Sequence, residues 1–208
     1  MTIQPFGDRA FLIELEQRIE PAIIDRARAI ADAWERRGLG EAIPAYASVV
    51  VTFDPARTSW PDAAAAANEL ATAPPRSEAP SPGRLIEIPT VYDGPDLADT
   101  AARSGLAPDA LVALHSGREY SAFFLGFMPG LAYCGLVDPR IVAPRLASPR
   151  PRVPAGAVAV ANGQTIVYPG DSPGGWRLIG RTEVAMFDPL REPAALIRPG
   201  DRLRFVPR

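Results

Sequence analysis

The chain contains no lysine, and all 22 of its basic residues are arginines. Without a lysine amine, it cannot itself form the Schiff base of a pyridoxal phosphate enzyme, carry biotin, or supply the lysine of a Walker A loop. The arginines are scattered along the sequence and opposed by 24 acidic residues. No basic stripe therefore predicts a nucleic-acid partner.

Cysteine and histidine are almost as scarce, with one residue of each type, Cys134 and His115. A single cysteine excludes an internal disulfide and is typical of a reducing compartment. Together the two residues are too few for a zinc site of Cys and His ligands within one chain, so we expect no metal. Any Ser-His-Asp triad would have to use His115.

Long apolar runs are also missing. No apolar stretch reaches the roughly 18–20 residues that cross a bilayer. The N-terminal segment lacks the basic region followed by an apolar core that marks a secretory signal. We therefore expect a cytoplasmic protein with no membrane partner.

Residue patterning divides the chain into two domains joined by a proline-rich linker. Residues 1–72 combine alternating strand patterns with two amphipathic helices, which predicts a small α+β domain. Residues 73–83 are rich in proline and lack apolar periodicity, which predicts an extended linker. Residues 84–208 show short helices and then many short strands separated by Pro and Gly, which predicts a mainly-β domain built as a barrel or a sandwich.

The first of these helices, predicted over residues 21–37, has the clearest apolar stripe. Its residues Ile23, Ala27, Ile30 and Trp34 recur at a spacing of three to four residues. This spacing places them on one helix face, which we expect to pack on the sheet.

Two features of the second half allow both a structural and a functional interpretation. His115 ends a predicted helix just before Gly117, a position that suits a histidine interacting with the helix dipole. The alternative for His115 is an acid–base or ligand-orienting role. The turn at 126–133, GFMPGLAY, is either a tight buried connection or a pocket wall that presents the hydroxyl of Tyr133.

Polar residues concentrate between residues 149 and 188. Arg150 and Arg152 alternate on an extended segment, where they either meet one anionic group together or are solvated. Gln164 and Thr165 follow an Asn-Gly hairpin turn and, as neighbours on a strand, face opposite sides.

A glycine-rich turn is predicted over residues 171–176, DSPGGW, between Tyr168 and Trp176. Glycines let successive backbone N–H groups converge, so this turn is a candidate anion site. It is not a P-loop, because no Gly-Lys-Ser/Thr sequence follows.

Taken together, these motifs resemble the family of 5-oxoprolinase B subunits, also known as allophanate hydrolase subunit 1 or the KipI-type inhibitor of a sporulation kinase. The resemblance rests on His115 with Tyr120, GFMPGLAY (126–133), VPAG (153–156), QT (164–165), YP (168–169), SPGGW (172–176), LIGRT (178–182) and PGDRLRFVP (199–207). Two earlier stretches, GDRAFLIEL (7–15) and YASVVVTFDP (46–55), extend it to nearly the whole chain.

The resemblance implies an α+β N-terminal domain followed by a cyclophilin-like β-barrel, similar to one lobe of the carboxyltransferase domain of urea carboxylase. It also implies membership, without activity alone, of a complex that uses ATP to hydrolyse the cyclic amide 5-oxoproline to glutamate. The expected partners are two sister subunits, the A and C subunits of that complex, with the substrate pocket formed against the C subunit. No nucleotide motif is present in this chain, so ATP is expected to serve the complex.

On the hypothesis of a cyclic-amide hydrolase subunit, we expect a set of site residues. His115 is the expected catalytic residue, and the expected substrate-binding residues are Arg152, Gln164, Thr165, Tyr168, Ser172, Gly174, Gly175 and Trp176. Arg152 is expected to hold the substrate carboxylate, Gln164 and Thr165 the lactam edge, and the turn at 172–175 a developing oxyanion.

Two other functions fit the same resemblance. One is a binding module that inhibits a sensor histidine kinase without turnover. The other is a lobe of an allophanate- or urea-linked carboxyltransferase or hydrolase, which would need a biotin carrier elsewhere because this chain has no lysine. Neighbouring genes for the sister subunits would favour the oxoprolinase role, and a neighbouring histidine kinase gene would favour the inhibitor.

Overall fold

The computed structural model describes residues 1–74 and 83–208, and its contacts divide the chain into two units, Met1–Ser81 and Pro82–Arg208. Most of the linker predicted at 73–83 lies outside the described residues. The domain boundaries drawn from the sequence therefore stay predictions, and each unit is described by itself. Within the described part of the chain, no helix is long and apolar enough to cross a membrane.

The first unit consists of a four-stranded antiparallel sheet and two helices. Its elements are β1 (Thr2–Pro5), β2 (Ala10–Glu14), α1 (Pro21–Arg36), β3 (Ala42–Pro44), β4 (Ser48–Thr52) and α2 (Trp60–Thr72). The strand order is β1-β2-β4-β3. Because side chains alternate along a strand, Phe11 and Ile13 of β2 lie in the core with Val49 and Val51 of β4.

Helix α1 buries a stripe of apolar side chains, as its spacing predicts. Ala27, Ile30 and Trp34 are buried, but Ile24 and not Ile23 is the buried residue of the first turn. The indole Nε1 of Trp34 donates a 2.8 Å hydrogen bond to a backbone carbonyl of β4. Burial of the ring and this hydrogen bond together fix the helix to the sheet.

The second unit is mainly β. Its elements are β5 (Leu85–Thr90), α3 (Leu97–Arg103), α4 (Pro108–Ser116), β6 (Glu119–Leu125), β7 (Ala132–Gly135), β8 (Arg150–Val153), β9 (Ala157–Ala161), β10 (Gln164–Val167), β11 (Ser172–Gly174), β12 (Arg177–Arg181) and β13 (Arg202–Pro207). A mixed seven-stranded sheet has the order β12-β9-β10-β7-β6-β13-β5, and β8 pairs with β11 alone. Only the β5–β13 pairing in this sheet is parallel.

The two edge strands of this sheet, β5 and β12, meet just beyond the end of β5. Val91 and Arg181 exchange backbone hydrogen bonds, with N···O distances of 2.9 and 2.8 Å. The sheet is therefore a nearly closed barrel with few helices. At this level, the mainly-β barrel predicted from the sequence is confirmed.

Strands β9 and β10 are buried on both faces and separate two apolar clusters. The main core contains Val158, Val160 and Val167 together with Leu111 of α4. The second core lies on the opposite face of the same two strands. It comprises Leu131, Val153, Ala157, Ala159, Ala161, Ile166, Tyr168, Trp176 and Leu178. A strand between two apolar layers lacks the alternation of polar and apolar residues, which explains the AVAVA sequence of β9.

Candidate functional site

His115 lies in the main core and not in an open pocket. Its side chain is fully buried at 0% exposure. The imidazole Nδ1 lies 2.7 Å from the hydroxyl of Tyr92, and Nε2 lies 2.9 Å from Oγ1 of Thr165. The ring of Phe205 packs against the imidazole with 4.5 Å between centroids. Both ring nitrogens are therefore engaged by groups of the protein itself.

The surrounding hydrogen bonds determine which nitrogen of His115 carries the proton. Oγ1 of Thr165 donates its only hydrogen to the carbonyl oxygen of Ala159 at 3.1 Å. It must then accept from His115, so Nε2 is the protonated nitrogen. The free lone pair of Nδ1 accepts from the hydroxyl of Tyr92. One continuous set of hydrogen bonds thus runs from Tyr92 through His115 and Thr165 to Ala159.

Burial keeps this imidazole neutral. It lowers the pKa of His115 from 6.5 to about 3, because the core penalises the charged form. A neutral ring with both nitrogens bonded inside the core has no atom to offer a substrate. The geometry therefore does not support the expected catalytic role of His115, nor direct substrate contact by its fully buried partner Thr165.

The opposite face of β10 carries a different set of expected site residues. Because side chains alternate along the strand, Gln164 and Ile166 lie opposite Thr165. Tyr168 and Trp176 belong to the second core on this side. The expected pocket is thus divided by the sheet: Thr165 faces the main core, and Gln164 faces away from it.

We call the group formed by Tyr133, Tyr168, Trp176 and Arg145 the aromatic face. Tyr168 and Trp176 are buried, Tyr133 is half-buried and Arg145 is exposed. The rings of Tyr133 and Trp176 lie 5.9 Å apart between centroids. The guanidinium carbon of Arg145 lies 5.8 Å from the centre of the Trp176 ring, within the range of a cation–π contact. No local pattern in the sequence points to Arg145, because its position over Trp176 depends on contact with a segment much later in the chain.

The tyrosines of the aromatic face have perturbed acidity. Burial raises the pKa of Tyr133, and the positive charge of Arg145 acts against this rise. Burial likewise raises the pKa of Tyr168, while a backbone hydrogen bond from Trp176 and the charge of Arg145 act against it. Both phenols are therefore protonated at neutral pH.

Arg150 and Arg152 bind different carboxylates of the chain itself. Arg150 Nη2 lies 2.7 Å from Oδ1 of Asp96, and Arg152 Nε lies 2.8 Å from Oδ2 of Asp171. The two guanidiniums therefore do not converge on one anion, which was one of the two arrangements that the sequence allowed. The Arg152 side chain is 79% exposed.

The segment expected to form a glycine-rich turn is a strand. Ser172–Gly174 is β11, which pairs with β8, so its N–H groups do not converge in an anion site. Gly174 is needed there for close packing, since a Cβ atom would overlap the hydroxyl of Tyr168. Ser172 Oγ is buried without a hydrogen-bond partner among the described residues. The backbone oxygen of Gly175 accepts from Leu146 at 2.7 Å.

Cys134 is buried on β7, and burial raises the pKa of its thiol. We expect the folded chain to react slowly with a thiol reagent such as DTNB at pH 8, because neither thiolate nor access is available. Unfolding in guanidinium chloride should release one full equivalent, since this is the only cysteine. Rapid labelling of the folded chain would contradict this placement.

Among residues 1–74 and 83–208, no group of three or more His, Cys, Asp or Glu side chains is arranged to hold a metal ion.

The amino-acid sequence of this chain matches a known protein family. The family model for the carboxyltransferase domain, subdomain C and D, matches residues 1–197. The chain belongs to this family.

Two curated relatives match this family member over nearly their whole lengths. A protein of Escherichia coli O157:H7, named as the B subunit of 5-oxoprolinase, is 42% identical over 206 residues, covering 97% of this chain and 93% of the relative. A protein of the same name from Bacillus subtilis is 36% identical over 219 residues, covering 98% and 91%.

Solved structures of similar chains have the same fold. The protein TTHA0988 superposes with a TM-score of 0.85 at 41% identity, over 96% of this chain. This chain spans only 40% of the length of TTHA0988. The urea carboxylase of Kluyveromyces lactis superposes with a TM-score of 0.75 at 18% identity, over 99% of this chain and 21% of that one, which shows a shared fold alone.

Proposed function

We propose that this protein is the B subunit of an ATP-dependent 5-oxoprolinase complex that hydrolyses 5-oxoproline to glutamate. The observation that carries the proposal is the near-complete, two-way match to relatives of that name in Escherichia coli and Bacillus subtilis. A match of similar length in both directions supports an equivalent role for the whole chain. We place the complex in the cytoplasm and the second unit among cyclophilin-like barrels.

The other subunits of the proposed complex supply the ATP site that this chain lacks. The chain has no lysine for a phosphate-binding loop, and its glycine-rich segment is the strand β11. These residues do not fit an ATP site, so we assign ATP binding to another member of the complex and derive no step through it here. TTHA0988 supports a partner, because 60% of its chain lies outside the match. We identify that partner as the C subunit, with the A subunit completing the complex.

The aromatic face is the part of this chain that we assign to the substrate pocket. A small lactam needs apolar walls and a few fixed polar groups, which is the usual composition of a ligand site. Tyr133 provides a half-buried aromatic ring backed by the buried Tyr168 and Trp176, Arg145 provides a cation, and Gln164 lies on the same side of β10. His115 and Thr165 act from behind the sheet by fixing the backbone of β10.

The proposal is tested by measuring ATP-dependent glutamate formation from 5-oxoproline. The chain is co-expressed with its two sister subunits, and the control omits this chain alone. We expect activity only in the complete complex. Full activity after omission would refute the assignment, and binding of the purified chain to a histidine kinase would then identify it as the inhibitor.

A further inference from the structure

Arg145 is held in place by the backbone on both sides of it. The preceding carbonyl oxygen, of Pro144, accepts a 2.8 Å hydrogen bond from Nε of the buried Arg177. The following amide, of Leu146, donates a 2.7 Å hydrogen bond to the carbonyl oxygen of Gly175. Both partners flank Trp176 in sequence. The backbone on both sides of Arg145 is therefore anchored to the segment around Trp176, and its guanidinium carbon lies 5.8 Å from the centre of the Trp176 ring.

Arg145 differs from the arginines around it in its electrostatic partners. Arg150, Arg152 and Arg177 each form an ion pair with an aspartate. Arg145 forms no ion pair with any carboxylate of residues 1–74 and 83–208, and its side chain is exposed beside an aromatic surface. A positioned guanidinium without an internal carboxylate can bind an external one through two parallel hydrogen bonds.

The groups beside Arg145 match the rest of a small cyclic acid. Tyr133 is half-buried, and its ring stacks on Phe124 with 4.7 Å between centroids. Tyr133 and Arg145 both contact the ring of Trp176, so this stacked pair lies near the cation. 5-Oxoproline is a flat five-membered lactam with one carboxylate, so the charge and the ring match the two parts of this surface.

We propose that Arg145 is a substrate-binding residue that takes the carboxylate of the cyclic amide acid, with the lactam ring packed beside Tyr133. This inference rests on the proposed function and assigns the carboxylate to Arg145 in place of Arg152. Arg152 already donates to Asp171, and a substrate carboxylate would have to compete with that aspartate.

The test compares the acid with its neutral carboxamide in the complete complex. The amide of 5-oxoproline keeps the lactam but removes the negative charge. We expect Arg145→Ala to raise the KM for the acid by roughly 10- to 100-fold, because a hydrogen-bonded charge pair is lost. Its preference for the acid over the carboxamide should disappear. Arg145→Lys should keep part of this preference, because it keeps the charge without the planar fork.

Arg181→Ala is the matched control. Arg181 is an exposed arginine paired with Asp93 at the end of β12, outside the aromatic face. This variant should keep the wild-type KM and the wild-type preference for the acid. Thermal melting of each variant shows whether the fold is retained, and Arg145→Gln replaces Arg145→Ala if the latter is unfolded.

The outcomes of this test distinguish the role of Arg145 from the proposed 5-oxoprolinase function. An active wild-type complex in which Arg145→Ala keeps its preference for the acid overturns the role of Arg145 and leaves the proposed function intact. Loss of the preference in Arg152→Ala alone assigns the carboxylate to Arg152 and likewise overturns it. A wild-type complex that does not act on 5-oxoproline removes the proposed function and this inference with it.

Discussion

Lowering the pH from 8 to 5 should reduce the free energy of unfolding of this protein by about 2 kcal/mol through His115 alone. The folded state keeps the imidazole neutral down to a pKa of about 3, whereas its ordinary pKa is 6.5. Between these values the unfolded chain binds one more proton than the folded chain. Stability is therefore lost as the pH falls through this window.

The measurement is urea unfolding at pH 8 and pH 5, with His115→Gln as the reference. We expect His115→Gln to cost about 3 kcal/mol at pH 8, because buried hydrogen bonds and packing are lost. The variant should then show a smaller loss between pH 8 and pH 5. Because the chain has one histidine, its NMR signals need no assignment. Imidazole resonances of the folded chain that titrate near 6.5 would disprove the buried neutral state.

Replacing Gly174 by Ala should cost about 1–3 kcal/mol of stability by overpacking the second core. The added methyl group would overlap the hydroxyl of Tyr168 and approach Val153 to 3.1 Å. Both side chains are buried, so neither moves away freely. Since Tyr168 lies in the aromatic face, we also expect a lower kcat/KM in the complete complex. Thermal unfolding and steady-state kinetics measure the two effects.

A second substitution shows whether this overlap is the cause. Tyr168→Phe removes the hydroxyl, so the Gly174→Ala/Tyr168→Phe pair should lose less stability than the sum of the single changes. Gly170→Ala is the control, because its Cβ would meet only the flexible end of Met128 at 3.2 Å. Equal losses in Gly170→Ala and Gly174→Ala would show that the close approach to Tyr168 is not responsible.

Local sequence patterns were sufficient to predict most of the strands and helices of the fold. Alternation along β2 and the helical spacing of α1 predict most of the buried side chains, because both depend on neighbours within a few residues. The exception in α1 is its first turn, where Ile24 is buried in place of Ile23. Pairing between distant segments was not visible in this way. Ser172–Gly174 looks like a turn from its composition, but pairing with β8 makes it a strand.

The candidate site was harder to predict for the same reason. His115 ends a helix, and nothing nearby in the sequence shows that Thr165, fifty residues later, closes its hydrogen bonds. Arg145 lies in a proline-rich stretch whose sequence shows neither helix nor strand periodicity. Its position becomes apparent only when Pro144 and Leu146 bond to the segment around Trp176. The sequence places Gln164 and Thr165 on opposite faces of one strand, but it does not show that Thr165 is the one that faces His115.

The hydrogen bonds between Val91 and Arg181 also limit how the sheet of the second unit can pair with another chain. An edge strand has unpaired backbone N–H and C=O groups that can pair with a strand of another chain. Closing a sheet removes such edges. In the second unit, the two outermost strands of the sheet bond to each other at this point. Assembly through the barrel should therefore rely on side chains, as at the aromatic face, and not on backbone addition. At this point of the second unit, a second copy of the chain therefore finds no free strand edge to extend.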